Sequence, residues 1–231
     1  GISNATISTS NATYGGVFAP SQDILNLYSS SDVRRKETIM LSGDVYPNVK
    51  AKIGSNFGPL VVPAADLIGG QGAGAAIKKY CLGVVNGDVT GPVDGWAMMN
   101  NNTYIMRYAE LLLIHAEAVL AGASSTADAS ALKSLNAVRN RAGLNSVSSF
   151  TFDDLFTERR KELAFEGDYW FDLGRLPRAK AIAIMSAQNR GNMWGAEYFT
   201  PDDADFSLPY PTNDVIKNPK LLEAPVPYVF K

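Results

Sequence analysis

The sequence predicts a mainly α-helical fold with extensive irregular loops and a few short strands. Apolar residues recur at helical spacing between about residues 104 and 185. Glycine pairs and polar runs interrupt the preceding hundred residues, and the last forty residues hold six prolines, which exclude long helices there. We therefore expect one region, 1–231, in which residues 1–103 are rich in loops, residues 104–185 are helical and residues 186–231 form an irregular tail.

Composition indicates a packed protein and excludes several kinds of site. Of the 231 residues, 46% are hydrophobic and 19% are charged, and 21 basic against 23 acidic residues give a net charge of −2. Without a basic excess, neither nucleic acid nor a polybasic membrane contact is expected. The single cysteine, Cys81, and the single histidine, His115, exclude an intrachain disulfide, a cysteine-built zinc site and a centre with several histidine ligands. We expect no metal and no cofactor.

Two short strands are predicted in the first flank, where apolar pieces lie between the glycine-rich breaks. They cover Gly58–Pro63 and Tyr80–Val85. This flank has few apolar residues of its own, so we expect it to pack against the helical centre.

The first helix is expected to begin near Tyr104 and to end at Gly122. Its predicted apolar stripe contains Ile105, Tyr108, Leu112, His115 and Val119. The apolar run inside it, 109–121, is shorter than the roughly 18 residues of a membrane span and contains charged residues, which favours a helix in a protein core.

A second helix follows after a small polar loop. Its apolar stripe contains Ala131, Leu135, Val138 and Ala142, and Gly143 suits the position just after a helix end. The short connection predicts that the first two helices form an antiparallel hairpin.

A third helix is expected to start at Thr151, which forms the capping-box pattern with Asp154. The apolar period continues to about Leu173, and Gly174 and Pro177 are expected to end the helix.

The third helix contains the densest run of charge, ERRKELAFEG at 158–167. Glu158, Glu162 and Glu166 share one face, with Arg159 beside them. Ion pairs with neighbouring helices are the favoured interpretation, and a carboxylate site for metal or glycosyl chemistry is the alternative. A helical di-metal site needs two Glu-x-x-His motifs, which the lone His115 cannot supply.

Other chemistry-bearing residues have simple structural interpretations. His115 is expected to be a hydrogen-bonded core residue, and Cys81 a buried strand residue. The acids Asp202, Asp203 and Asp205 lack the glycine and the glutamate of a calcium loop, so an exposed turn is predicted. No serine lies in a G-x-S-x-G elbow, and QGAGAA at 71–76 lacks the ending of a phosphate loop.

Tryptophans provide the candidate ligand contacts. Trp96 and Trp194 lie in glycine-rich settings, where an exposed indole can stack on a sugar ring or on a peptide side chain. The alternative is that each fills a gap beneath its own loop. Trp170, on the apolar side of the third helix, is predicted to lie in the core.

The helical segments, taken in order and spacing, resemble the C-terminal signature of the SusD/RagB family. The matching segments are RYAELLLIHAEAVLAG (107–122), LNAVRNRAGL (135–144), ERRKELAFEGDYWFDLGR (158–175) and LPYPTNDVIKNPKL (208–221). The tract with Asp32, Arg34 and Arg35 also resembles the Asp-x-Arg region that precedes the family signature.

The resemblance implies a SusD-like fold, a superhelix of tetratricopeptide-type hairpins with long irregular loops. Such proteins are outer-membrane surface lipoproteins of Bacteroidetes that lack catalysis and cover a SusC-like TonB-dependent transporter. It therefore implies oligosaccharide binding and delivery to that transporter, with peptide binding in the same role, as in RagB-like members, as the alternative. A carboxylate-based glycoside hydrolase and a purely structural helical adaptor are the other functions considered.

The sequence departs from the family pattern in its length and its cysteine. Family members are typically twice as long and carry a lipidated N-terminal cysteine, whereas Cys81 is internal. We therefore expect a C-terminal portion, or a compact variant, whose membrane association depends on an upstream lipid anchor that is absent from this chain. Ligand contacts in the family lie on variable loops, so Trp96 and Trp194 rest on their local sequence alone.

Overall fold

The computed structural model describes residues 19–53, 56–62, 75–79, 84–85, 88–89, 104–191 and 195–223. Its helices are α1 (Gln22–Asn26), α2 (Arg34–Thr38), α3 (Tyr108–Leu120), α4 (Ala129–Arg141), α5 (Phe152–Glu162), α6 (Tyr169–Gly174), α7 (Arg178–Ala187) and α8 (Thr212–Lys217), with 3-10 turns at Ala204–Phe206 and Pro219–Leu222. Its strands are β1 (Ile39–Leu41), β2 (Val45–Ile53), β3 (Asn56–Val61), β4 (Ala75–Ile77), β5 (Val84–Val85), β6 (Asp88–Val89), β7 (Ser125–Thr126) and β8 (Phe150–Thr151). Across these ranges no helix has the length and apolar character needed to cross a bilayer.

The strands form four antiparallel pairs of two strands each: β1 with β4, β2 with β3, β5 with β6, and β7 with β8. The predicted strand at Gly58–Pro63 corresponds to β3, which begins and ends two residues earlier. Of the predicted strand at Tyr80–Val85, β5 covers the last two residues, and residues 80–83 lie outside the described ranges. The pair of β7 and β8, with Thr126 opposite Phe150, joins the beginning of α4 to the beginning of α5.

The main apolar core lies between α3, α4 and α5. Its fully buried members are Leu113, Ala116, Leu120, Ala131, Leu135, Val138, Phe150 and Leu155. The predicted stripe of α4 is thus confirmed, and Ala142, which caps this helix, is buried as well.

The centre of the predicted stripe of α3 was wrong by one position, although its members Leu112 and Val119 are half-buried and pack against the core. The helix buries Leu113, Ala116 and Leu120, whereas Ile105 is 93% exposed and Tyr108 is exposed as well. The run Leu111–Ile114 is apolar on almost every side of the helix, so its periodicity did not determine which face meets α4.

Helix α4 ends in a Schellman motif, as the glycine after it predicted. Gly143 has φ of +77°, its N–H donates to the Asn140 carbonyl (3.1 Å), and the Leu144 N–H donates to the Arg139 carbonyl (3.0 Å). A side chain at Gly143 would also place its Cβ 3.2 Å from the carbonyl oxygen of Ser31. Glycine is therefore required here by both the backbone conformation and the close approach of the first flank.

The third predicted helix begins where expected but is shorter than expected. The Thr151 hydroxyl accepts from the Asp154 N–H (3.2 Å), and the Asp154 carboxylate accepts from the Thr151 N–H (2.8 Å), which completes the capping box. The helix ends at Glu162, because Phe165 (φ +65°) and Gly167 (φ +103°) adopt left-handed backbone that no helix contains.

The chain then resumes as α6 and α7, which do not continue the axis of a single long helix. Pro177 was expected to close the third helix, but it is the residue that caps the start of α7, where its fixed φ is compatible with helix entry. Between residues 195 and 223, the described part of the tail forms the short helix α8 and the two 3-10 turns, and it contains no long helix, as the prolines predicted.

Candidate functional site

The charged face of α5 is occupied by ion pairs inside the protein. Glu158 and Glu162 lie one turn apart and are buried. Glu162 Oε1 accepts from Arg107 Nη1 (2.7 Å) and from Arg141 Nη2, and its Oε2 accepts from Arg34 Nη1 (3.1 Å). The interpretation of this face as a set of interhelical ion pairs is therefore confirmed.

The same network ties the first flank to the helices. Arg34 Nη2 lies 2.7 Å from Asp32 Oδ2, and both side chains are buried against α5. Beyond the end of α5, the carboxylate of Glu166 accepts from Arg107 Nε (2.7 Å) and pairs with Lys79. We call Asp32, Arg34, Lys79, Arg107, Glu158, Glu162 and Glu166 the ion-pair cluster.

The environment of Glu162 does not suit a general acid. Burial by itself would raise the pKa of this carboxyl, but the hydrogen bond from Arg107 and the charges of Arg141 and Arg107 lower it. Both oxygens already accept hydrogen bonds from guanidinium groups, so the side chain is ionised at neutral pH and is not available to donate a proton.

An aromatic cleft of about 570 Å³ opens on the other side of α5, between its C-terminal end, α6 and α7. Its lining combines an apolar floor with a polar rim, a composition that small-ligand sites commonly share. The side chains that define it are Phe165, Tyr169, Trp170, Arg160, Gln188 and Arg190. This pocket was not predicted, because its walls come from segments that are distant in the sequence.

Trp170 was predicted to lie in the core and is instead 47% exposed at the edge of the aromatic cleft. The break at Phe165 takes α6 out of register with α5, so that Asp172 and Leu173 are buried and Trp170 faces outwards. Its ring stacks on Phe206, with centroids 5.5 Å apart and planes inclined by 14°. The indole is thus held on one side while part of it stays accessible.

Polar groups in the cleft are held by specific contacts. The Tyr169 hydroxyl accepts a hydrogen bond from Gln188 Nε2, and burial raises the pKa of this phenol. The Arg160 guanidinium lies 4.5 Å from the centre of the Tyr169 ring and pairs with Asp23 of α1. These contacts fix the orientation of the tyrosine ring.

Arg190 stands at the rim of the cleft with an exposed side chain. Its guanidinium carbon lies 5.0 Å from the centre of the Phe199 ring. The backbone N–H of Arg190 donates to the Glu197 carbonyl (2.7 Å), which holds these two positions together.

The two predicted ligand contacts, Trp96 and Trp194, lie outside the residues that the structure describes. Their assignment stays a prediction. The described positions that flank Trp194 are Gly191 and Gly195, and they follow directly on the Arg190 wall of the aromatic cleft.

A second pocket, which we call the acidic cleft, has a volume of about 720 Å³ and lies between α3 and α6. It contains Glu110 and Asp168, and burial raises the pKa of both carboxyls. Arg159 Nε pairs with Asp172 Oδ2 at 3.2 Å, whereas Arg159 Nη2 lies 3.8 Å from Glu110 Oε1, so Glu110 is less neutralised than the carboxylates of the ion-pair cluster.

Of the remaining candidates, His115 and Asp202 line neither cleft. His115 Nδ1 lies 2.9 Å from Ser134 Oγ, so its hydrogen bond was predicted correctly, but the ring is exposed rather than in the core. Cys81 lies outside the described ranges. Asp202 Oδ1 accepts from the Ala204 N–H (2.7 Å) in an exposed turn, as expected. In the described ranges, no three His, Cys, Asp or Glu side chains are grouped as metal ligands would be.

Known proteins with similar sequences are SusD-like. A SusD-like protein of Bacteroides ovatus is 32% identical over 246 residues, which cover 90% of this chain and 42% of that protein. SusD-like protein P2 of Formosa agariphila is 30% identical over 136 residues, covering 53% of this chain and 25% of that protein.

Solved structures give the same result for the fold. A crystal structure with a xylogluco-oligosaccharide has a TM-score of 0.74 and 28% identity, covering all of this chain and 50% of that one. Surface glycan-binding protein A from Bacteroides uniformis has a TM-score of 0.59 and 25% identity, and the match covers 93% of this chain and 42% of that one. This chain thus spans about half the length of the relatives that it matches.

These comparisons confirm the predicted fold class, a mainly α SusD-like architecture of helical hairpins with extensive irregular loops and a few short strands. The sequence matches the SusD family over residues 11–226, which is almost its entire length. The chain therefore belongs to the SusD family.

Proposed function

We propose that this chain binds oligosaccharides without catalysis, as part of a cell-surface protein that delivers them to a SusC-like TonB-dependent transporter. Membership of the SusD family supports a glycan-binding role, and one similar structure contains a xylogluco-oligosaccharide. A second similar structure is that of a surface glycan-binding protein. Lipid anchoring to the outer membrane belongs to the same proposal, through a segment upstream of this chain.

The observation that carries the binding role is the half-exposed Trp170 in the aromatic cleft. Its ring is already stacked on Phe206, so little conformational freedom remains to be lost when a sugar ring packs against the indole. The volume of about 570 Å³ lies within the range of ordinary ligand pockets and is large enough for a few sugar units.

Membership of the SusD family supports a role without catalysis, and the state of Glu162 argues against the carboxylate site considered on α5. A glycosidase needs one carboxylic acid and one carboxylate on opposite sides of the scissile bond. Glu162 has a lowered pKa and both oxygens bonded to arginines, so it supplies neither group to a ligand. Prolonged incubation with the bound oligosaccharide should release no shorter products, and hydrolysis that Glu162→Gln abolishes would contradict this part of the proposal.

Calorimetric titration of the purified chain with oligosaccharides, including a xylogluco-oligosaccharide, tests the binding role. Trp170→Ala should weaken the affinity about tenfold or more, because removal of a central aromatic anchor commonly costs about 2 kcal/mol. Tyr210→Ala is the matched control, since Tyr210 is an exposed aromatic residue that does not line the cleft. Equal affinity in the Trp170→Ala chain would exclude this cleft as the site.

The same titration decides between ligand classes. Mixed peptides included beside the glycans test the alternative of peptide capture, which would be supported by saturable peptide binding without any glycan response. Trp96→Ala and Trp194→Ala test the two contacts predicted from sequence. The transporter role is tested on the full-length protein, which should co-purify from outer membranes with a SusC-like transporter; its recovery without one would contradict that role.

A further inference from the structure

The polar lining of the aromatic cleft has charge of one sign. Arg160 and Arg190 contribute two guanidinium groups, and Gln188 and Ser21 contribute neutral polar groups. Among the described residues that form its walls, none is aspartate or glutamate. This contrasts with the whole chain, whose net charge is −2.

The two arginines differ in what already neutralises them. Arg160 pairs with Asp23 and lies against the Tyr169 ring, so its charge is satisfied within the protein. In the part of the chain that the structure describes, Arg190 forms no ion pair, and its guanidinium packs on Phe199. Arg190 is therefore a cation at the mouth of the cleft that no described carboxylate neutralises.

The chemistry of this lining favours a ligand that is rich in acceptors. A guanidinium offers five N–H donors and no acceptor, whereas the hydroxyls of a neutral sugar need acceptors as well as donors. Neutral-sugar hydroxyls would find no carboxylate acceptor among the described walls of this cleft. A carboxylate or sulfate matches the planar fork of an arginine with two parallel hydrogen bonds.

We infer that the aromatic cleft binds an anionic oligosaccharide, with a sugar ring on Trp170 and a carboxylate or sulfate on Arg190. This inference rests on the proposed function and adds the chemical class of its ligand. The indole supplies the contact that any sugar ring can make, and Arg190 supplies the discrimination between anionic and neutral sugars.

The test uses three oligosaccharides in calorimetric titrations of the chain. They are a tetragalacturonate, the same tetrasaccharide with its carboxyl groups reduced to alcohols, and a sulfated oligosaccharide that contains no uronic acid. An anionic ligand should bind about three- to fivefold more tightly than the reduced one, because Arg190 is exposed and an exposed ion pair contributes only modestly. The preference should shrink when the salt concentration is raised, since an exposed ion pair is screened. Comparison of the uronate with the sulfated ligand identifies which anion the cleft takes.

Arg190→Gln should remove most of the preference for the anionic ligand while leaving the thermal midpoint unchanged, because this side chain is exposed. Lys133→Gln is the control of equal charge change, on an exposed residue of α4 that does not line the cleft.

The possible failures are distinguishable. Equal binding of the tetragalacturonate and its reduced form, or an anion preference that persists in Arg190→Gln, would overturn this inference and leave the proposed function standing. Failure of every oligosaccharide to bind would overturn the proposed function, and this inference with it.

Discussion

Replacing Glu162 with glutamine should destabilise the protein more than any exposed charge change on α5. The carboxylate is 1% exposed and accepts from three guanidinium groups, those of Arg34, Arg107 and Arg141. Glutamine keeps the shape, removes the charge and turns one acceptor into an N–H donor that faces other donors. Removing one partner from a buried ion pair costs about 3–5 kcal/mol, because the opposite charge stays buried.

For a chain of this size, a loss of 1 kcal/mol lowers the thermal midpoint by about 2–4 °C, so Glu162→Gln should lower it by about 10 °C. Urea unfolding followed by circular dichroism gives the free energy of unfolding directly. Asp153→Asn is the matched control, since this α5 carboxylate is 75% exposed and its pair with Lys180 should contribute less than about 1 kcal/mol.

A milder variant covers the case in which Glu162→Gln does not fold. Arg141 is the most exposed of the three arginines around Glu162, so Arg141→Gln should cost about 1 kcal/mol and leave a folded protein. If the free energy of unfolding of Glu162→Gln lies within about 1 kcal/mol of that of Asp153→Asn, the ion-pair cluster does not stabilise the fold and the reasoning is refuted.

Three further outcomes are expected. Leu113→Ala should lower the free energy of unfolding, measured in urea, by about 2–5 kcal/mol because Leu113 is fully buried. Leu111→Ala, at a half-exposed position of the same helix, should lower it by less than about 1 kcal/mol. Equal losses would contradict the assigned buried face of α3. Thr151→Ala should cost about 0.5–2 kcal/mol through loss of the capping box, and an unchanged midpoint would argue against that cap. The pKa values of Glu162 and Asp32 are lowered in the folded state. The stability that these carboxylates contribute is therefore present above their unfolded pKa of about 4 and is lost as the pH falls through the folded values. A thermal midpoint that is constant from pH 6 to pH 2 would contradict this.

The features that the sequence predicted correctly are those that depend on a few neighbouring residues. The capping box at Thr151 and Asp154 needs only two side chains three positions apart. The glycine after α4 acts within six residues of the helix end. Such local signals identify where helices begin and end even when the tertiary structure is unknown.

The errors at α3 and after α5 arise where the local sequence does not determine the structure. The apolar run Leu111–Ile114 allowed more than one buried face, and contacts with α4 determined which face is used. The helix break at Phe165 had no clear sequence signal, because a phenylalanine with positive φ is unusual and only Gly167 nearby favours such a backbone. The exposure of Trp170 followed from that break, so its predicted core position was wrong for the same reason.

The partners of the charged residues could not be predicted, although the charged face could. Helical spacing places Glu158 and Glu162 on one side of α5, but Arg34 comes from 128 positions earlier than Glu162. Likewise, the aromatic cleft joins side chains of α1, α5, α6 and α7, so the sequence holds no single motif for it.

Helix α5 connects the stability of the fold to the shape of the proposed binding site. Arg160 lies two residues from both Glu158 and Glu162, which is a rotation of about 200° around the helix axis. The ion-pair cluster therefore occupies one side of the helix and the aromatic cleft the opposite side. Since the cluster fixes the rotation and position of α5, it also fixes where Arg160 meets Tyr169 in the cleft. Helix α5 thus forms internal ion pairs with one face and, because those pairs hold it in place, offers a pre-organised wall to a ligand with the other.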